Sequence, residues 1–259
     1  MRSALLHVSV PFVFCVFLAN TSLFDRVKVD LTYEHYAEKS VDSMPALLAM
    51  PFNCLINVAY VFLGLYWLFW RTGVAETEHS RYLRQVFALM ALFYGPVQWT
   101  RLATLMRAPA VLDQWFTLPI FAWVPVWVDF IERARWRASH AAALELCSVV
   151  SYGLALAHER GFEVALGCHV ALAAYKGVRV QLARGDSATG RYVLLALLSC
   201  AGFVVLKLLD AWLARFWLFQ RLTGHFWSKV CDVLQFHFSL CFLTAMTQRP
   251  QAKTAAQQD

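Results

Sequence analysis

The chain has 259 residues, of which 59% are hydrophobic and only 15% are charged, and its mean hydropathy is +0.50. A soluble domain carries about 25% charged residues, so this composition excludes a soluble enzyme, a disordered chain and a disulfide-stapled secreted domain. The net charge of +6 is spread in small groups between apolar runs, which is typical of membrane-flanking residues and excludes a nucleic-acid-binding face.

Apolar runs predict eight membrane-spanning helices, each close to the ~20 residues that a bilayer requires. In chain order they cover residues 4–20, 46–70, 83–106, 111–131, 139–157, 162–182, 192–214 and 226–246. The fold class is therefore an all-α membrane protein, a seven-helix transmembrane bundle preceded by one N-terminal transmembrane helix. The corresponding domains are an N-terminal helix at 1–24, a lumenal loop at 25–45, a multi-pass domain at 46–246 and a cytosolic tail at 247–259.

The first run follows Arg2 and resembles either a cleavable signal peptide or a retained signal anchor, and we predict the retained anchor. The sequon that begins at Asn20 would then lie too close to the membrane to be glycosylated. Of the 23 Lys and Arg residues, 13 fall in segments that a cytosolic N-terminus places in the cytosol, and 8 fall in lumenal segments. This bias predicts a cytosolic C-terminus, in either an endomembrane or the plasma membrane.

Polar residues inside the apolar runs gather in the lumenal halves of their helices. A charged group in hydrocarbon costs several kcal/mol unless it is paired or hydrated, so each one is a candidate functional residue. The predicted lumen-side polar pocket consists of Asn53, Asn57, Asp113, His225, Lys229 and Asp232. Helical spacing places the two asparagines on one face, and the last three residues on another. The alternative interpretation is interhelical hydrogen bonding that only fixes packing. Lys207 and Asp210 are three residues apart and are expected to pair locally.

Sequence motifs of catalysis are not found in this chain. Its seven cysteines lie within apolar runs and have no metal-ligand spacing. No nucleotide-binding loop, zinc-protease motif or serine-centred nucleophile turn occurs. We therefore predict no catalytic residue, no metal and no cofactor.

Several segments resemble the transmembrane protein 187 family, a vertebrate multi-pass family. They are YEHYAE (33–38), LLAMPFN (47–53), YGPVQW (94–99), AVLDQW (110–115), GFEVALG (161–167), GFVVLKL (202–208) and LTGHFWSKVCDVLQFHF (222–238). The resemblance covers essentially the whole chain. It implies an integral membrane protein and no established catalytic activity.

A fainter resemblance connects the chain with the alkaline ceramidases and the progestin and adipoQ receptors, which are seven-helix zinc hydrolases or their relatives. It depends on the order of Asn53, Asn57 and Tyr60, of Asp113 at the opening of an apolar helix, and of His225 at the opening of the last helix.

The zinc ligands of that second family are mostly missing from this sequence. The chain keeps Gly95 and Asp113, but Pro96 stands at the family's serine, Thr100 at its histidine and Lys229 at the second histidine of the last helix. A hydrolytic zinc requires three protein ligands and an open position for water. We therefore expect the scaffold without the zinc site.

The function that we predict from the sequence is that of a non-catalytic membrane protein that binds lipids or partner proteins in the secretory pathway. One alternative is a lipid hydrolase with a rearranged site. Another is a small-solute transporter, which would require inverted repeats and interrupted helices. Membrane lipids are the expected contacts.

Overall fold

The structure, a computed structural model, describes residues 1–34, 36–71 and 76–249. In these ranges the chain forms eight long helical segments, several short helical turns and no strand. The long segments are α1 (Arg2–Ala19), α2 (Pro51–Trp70), α3 (Glu78–Thr104), α4 (Arg107–Arg133), α5 (Ala138–Ala157), α6 (Gly161–Arg184), α7 (Ser187–Leu208) and α8 (Gly224–Thr247). The predicted all-α multi-pass fold is thereby confirmed.

Six of these segments are long and apolar enough to cross a membrane: α1, α2, α4, α5, α7 and α8. The other two are as long but more polar, because α3 carries Arg84, Gln85 and Gln98 on buried faces. Neighbouring helices surround α3, so its polar residues face protein rather than lipid. Most of the predicted tail, residues 250–259, lies outside the described part of the chain.

The helices alternate in direction, so the bundle has two distinct ends. At the end where α1 begins and α8 ends, which we call the termini end, His7 of α1 lies between Tyr82 of α3 and Glu145 of α5. Its Nδ1 is 2.7 Å from the Tyr82 hydroxyl, and its Nε2 is 2.7 Å from the Glu145 carboxylate. Residues 20–34 and 36–50 cross the other end, which we call the loop end. There the Tyr33 hydroxyl donates to the carbonyl of Leu102 at the end of α3.

Helices α3 and α4 form the centre of the bundle. The indole N–H of buried Trp123 donates to the carbonyl of Leu83 at 3.0 Å, which joins the two helices. On one side α1 packs against both of them, because the Phe12 ring meets Phe93 and Phe116 edge to face. On another side α2 approaches α3 closely, since a Cβ at Gly95 would lie 2.7 Å from the carbonyl oxygen of Asn57.

Candidate functional site

The six residues of the predicted lumen-side pocket all lie in the loop-end half of the bundle. Asn53 and Asn57 are in α2, Asp113 is in α4, and the other three are in α8. Each is between 0% and 8% exposed. That the six line one open pocket stays a prediction.

Side chains on neighbouring helices contact three of these residues, Asp113, Lys229 and Asp232, and we call the six residues together with those partners the polar centre. Asp113 forms an ion pair with Arg101 of α3. Lys229 donates a hydrogen bond to the side-chain oxygen of Gln98, also on α3. The Lys229 ammonium lies 5.9 Å from the ring centroid of Tyr94, where it makes a favourable cation–π contact.

The carboxylate of Asp232 has a partner on α2. The buried Tyr60 hydroxyl donates to Asp232 at 2.5 Å. The polar centre therefore joins α2, α3, α4 and α8, and it comprises the six predicted residues together with Tyr60, Tyr94, Gln98 and Arg101. Residue spacing along one helix could not identify Gln98 and Arg101 as partners, because their hydrogen bond and ion pair are with residues of other helices.

Several buried polar atoms of the polar centre have no hydrogen-bond partner within the described residues. They are Oδ1 and Nδ2 of Asn53, Oδ1 of Asn57, Nε2 of Gln98 and Oδ1 of Asp113. A buried unsatisfied polar atom costs about 1–3 kcal/mol, so such atoms normally bind water or a ligand. The polar centre therefore has unused donors and acceptors for small polar guests.

The segment of residues 20–50 covers the loop end of the polar centre. The Tyr36 ring packs edge to face on the His225 imidazole, with 4.5 Å between ring centroids. Burial raises the pKa of Tyr36 to about 12. The Glu38 carboxylate accepts the backbone N–H groups of Phe52 and Asn53 at 2.9 Å, at the start of α2. Burial raises the pKa of Glu38 despite these two bonds.

The expected local pair between Lys207 and Asp210 is wrong. Asp210 instead accepts two backbone N–H groups, from Ala37 at 2.9 Å and from His225 at 2.7 Å. Helix α7 ends at Leu208 and a separate short helix, Asp210–Leu213, follows, where we predicted a continuous span to residue 214. The Lys207 side chain is exposed.

The two residues of the fainter resemblance that this chain retains, Asp113 and His225, both lie at this end of the bundle. Across the described ranges, there is no group of three or more His, Cys, Asp or Glu side chains that could hold a metal ion. Two residues that correspond to zinc ligands, Asp113 and His225, have Arg101 and Tyr36 as neighbours.

A second feature is an apolar cavity of about 470 Å³, which we call the cleft. It lies between α6 and α7, with α4 and α8 behind it. Its lining includes Val124, Ala173, Gly177, Val204, Gln235 and Phe242. Gln235 is 9% exposed, its Oε1 has no partner among the residues described, and it lies one helical turn from Asp232. The cleft therefore reaches towards the polar centre. The sequence did not predict it.

Comparisons with known proteins agree on one family. The TMEM187 protein family matches residues 4–244. "Transmembrane protein 187" of Bos taurus is 53% identical over 247 residues, which cover 94% of this chain and 96% of that protein. "Transmembrane protein 187" of Homo sapiens is 54% identical over 248 residues, which cover 96% and 94%. No solved structure matches the chain. The chain is a multi-pass membrane protein that belongs to the TMEM187 protein family.

Proposed function

We propose that this protein is a non-catalytic lipid-binding protein whose cleft holds the hydrocarbon chain of one membrane lipid. The observation that carries the proposal is the apolar cavity of about 470 Å³ between α6 and α7. Sites for small apolar ligands typically have volumes of about 300–1,000 Å³ and a few polar groups in an apolar lining. The cleft has that volume and that character.

The position of α7 supports access from the bilayer. Only 6% of its most apolar 18-residue stretch is buried, and large side chains such as Leu194 and Leu198 are exposed. In a membrane this face contacts lipid, and a turn at Gly185 and Asp186 connects α6 to α7 at the termini end. A lipid chain can therefore enter the cleft sideways from the surrounding membrane.

The volume of the cleft favours a slender guest over a transmembrane helix of a partner protein. A helix is at least about 10 Å across, so about 6 Å of its length would fill the observed volume. That is little more than one turn. A hydrocarbon chain, by contrast, can extend through the whole cleft.

Filling the cleft tests this function. We expect Gly177→Phe to abolish specific lipid binding, because a Cβ at Gly177 already lies 3.8 Å from Val193 and 3.9 Å from Phe242 inside the cleft. The matched control is Gly167→Phe on the same helix, where a Cβ meets nothing within 4 Å. Each full-length variant is purified with native lipid in detergent-free nanodiscs, and the lipids that co-purify are measured by mass spectrometry.

The result that supports the proposal is a lipid enriched over the bulk membrane in the wild type and in Gly167→Phe but not in Gly177→Phe. No enrichment in the wild type would overturn it. Equal enrichment in all three proteins would also overturn it, because the lipid would then bind outside the cleft.

For the orientation in the membrane, we infer that the termini end faces the cytosol and the loop end faces the lumen. The support is the excess of Lys and Arg in the segments at the termini end, among them Arg133 at the end of α4 and Arg135 and Arg137 after it. Residues 20–50 and the polar centre are then lumenal.

Glycosylation tests this orientation. Val41→Asn creates the sequon Asn-Asp-Ser in a segment 22 residues after the end of α1 and 10 residues before the start of α2, and Val41 is 37% exposed. We expect this variant to gain one glycan, seen as a mobility shift that a glycosidase removes. A C-terminal tag should be digested by protease added outside sealed microsomes. A protected tag together with an unglycosylated Val41→Asn would reverse the assignment.

A further inference from the structure

Resting on the proposed lipid-binding function, we propose that the cleft selects a lipid with a zwitterionic phosphate-ammonium headgroup, with Lys207 binding the phosphate and Glu163 binding the ammonium. The two residues have opposite charge and stand at the loop end on the two helices that border the cleft. Lys207 is one residue from the end of α7, and Glu163 is in the first turn of α6.

Lys207 is an exposed cation on the face of α7 that borders the cleft. It follows Cys200 by seven residues and Val204 by three, and both of those side chains line the cleft, so helical spacing places all three on one face. On α6, Glu163 precedes Val170, which also lines the cleft, by seven residues. Lys207 therefore stands at the open mouth of the space between α6 and α7.

Three carboxylates at the loop end differ in whether they have a hydrogen-bond or ion-pair partner. Asp113 is paired with Arg101, and Asp232 accepts the Tyr60 hydroxyl. Glu163 is exposed and, like Lys207, forms no ion pair within 4.0 Å among the described residues. The mouth thus presents one positive and one negative group that form no ion pair with each other, and the Lys207 ammonium lies 5.7 Å from the ring centroid of Phe203 on its own helix.

A zwitterionic headgroup fits this arrangement because its own opposite charges are held apart by a short ethylene bridge. A purely anionic headgroup would satisfy Lys207 but would be repelled by Glu163. Phosphocholine and phosphoethanolamine lipids share the matching chemistry, whether their apolar part is a glycerolipid or a sphingolipid.

The length of the cleft agrees with a long-chain lipid held in this way. Val193 and Val204 both line the cleft, and Lys207 lies just beyond Val204 on the same helix. From Lys207 to Val193 the rise of α7 is about 21 Å. A headgroup at Lys207 therefore allows an extended chain to run along the cleft lining.

The test measures headgroup selectivity in the full-length protein. Wild type, Lys207→Met and Glu163→Gln are reconstituted in nanodiscs with equal amounts of phosphatidylcholine, phosphatidylethanolamine, sphingomyelin, phosphatidylglycerol and phosphatidylserine. Bound lipids are then identified by native mass spectrometry. Arg215→Met and Glu159→Gln remove an exposed cation and an exposed carboxylate at the same end, so they are the matched controls. A melting temperature for each variant checks its fold.

We expect the wild type and both controls to enrich phosphate-ammonium lipids. Lys207→Met should lower that enrichment by about tenfold, which corresponds to about 1.4 kcal/mol. Glu163→Gln should shift selectivity towards phosphatidylglycerol. The glycerolipid and sphingomyelin arms show which of the two sources fits better.

The contrary outcomes separate the two proposals. Enrichment of phosphatidylglycerol in the wild type, or bound lipid without any headgroup preference, overturns the headgroup assignment and leaves lipid binding intact. A preference that survives both substitutions also overturns the assignment. Absence of any retained lipid in the wild type overturns the proposed function itself.

Discussion

Charged residues persist inside this bundle where each has a polar partner on a neighbouring helix. Arg101 and Asp113 belong to α3 and α4, and their ion pair is largely shielded, with side-chain exposures of 19% and 11%. Removing one partner of such a pair leaves an uncompensated charge, whereas replacing both with apolar residues is often neutral. The pair is therefore a test of whether the polar centre is structural.

We expect Asp113→Leu alone to lower the free energy of unfolding by about 3 kcal/mol, since Arg101 is then left without its anion. The double variant Arg101→Met and Asp113→Leu should recover most of that loss. Melting temperatures in nanodiscs measure both effects. If the single and double variants are equally unstable, the destabilisation comes from packing and the charge argument fails.

Glu38 gives the loop end a pH dependence. Its pKa is raised above the ordinary value of 4.5, so the folded state holds the proton more tightly than the unfolded state does. The contribution of Glu38 to stability is then complete at low pH and falls as the pH rises through the raised pKa.

We expect the melting temperature of the wild type to fall relative to Glu38→Gln as the pH rises above 4.5. The side chain of Glu34 is exposed in the same segment, so Glu34→Gln is the control and should keep the wild-type slope. An unchanged slope in Glu38→Gln would show that another group titrates.

At the scale of elements, the contact of α2 with α3 depends on glycine. A Cβ at Gly95 would lie 2.7 Å from the Asn57 carbonyl, and a Cβ at Gly64 would lie 2.7 Å from the Ala88 carbonyl. These glycines allow the two backbones to approach, as small residues do at membrane helix interfaces.

Gly95→Ala should therefore destabilise the bundle by about 1–3 kcal/mol, because backbone cannot move aside as a flexible side chain can. Gly167→Ala in α6 meets nothing within 4 Å and is the control, expected to be neutral or slightly stabilising. Thermal melts in lipid compare them. Equal melting temperatures of the Gly95→Ala and Gly167→Ala variants would show that α2 and α3 can move apart at little cost in stability.

Helix α1 behaves as part of the bundle rather than as an appendage. Ala4 and Val8 are 0% and 4% exposed, and His7 joins α3 to α5. Cleavage after α1 would leave Tyr82 and Glu145 without this partner.

We expect α1 to be retained, so the intact mass of the purified protein should include residues 2–19. His7→Leu should cost about 1–3 kcal/mol through the two groups it leaves unpaired. Leu6→Ala, at a side chain 62% exposed, should be nearly neutral. Detection of a mature protein that begins near residue 20 would refute the assignment.

At the scale of the whole molecule, the predicted apolar runs coincide with the eight long helices of the described residues, and six of these helices are long and apolar enough to cross a membrane. A span must satisfy its own backbone hydrogen bonds in lipid, which is why long apolar runs predict helices. Helix ends were less certain. Helix α3 begins at Glu78 rather than at residue 83, since Thr77 accepts the N–H of Ser80 and caps a polar first turn. Helix α7 ends at Leu208 rather than at residue 214, and Asp210, just beyond it, binds backbone N–H groups of Ala37 and His225.

The site was only partly predictable from the sequence. The six polar residues stand out by their cost in hydrocarbon, and the structure places all six in one half of the bundle. Partners such as Gln98 and Arg101 depend on how α3 is rotated, which no pattern within α3 determines. The cleft is harder still to predict, since no sequence pattern in α6 or α7 indicates that the two helices diverge.

The divergence of α6 from α7 also determines from which phase a guest arrives. An opening that faces the acyl chains equilibrates with the bilayer, so its occupancy follows the mole fraction of a guest among the surrounding lipids rather than its concentration in water. A change in membrane composition would then alter the occupancy of the cleft directly, without a soluble ligand as intermediary.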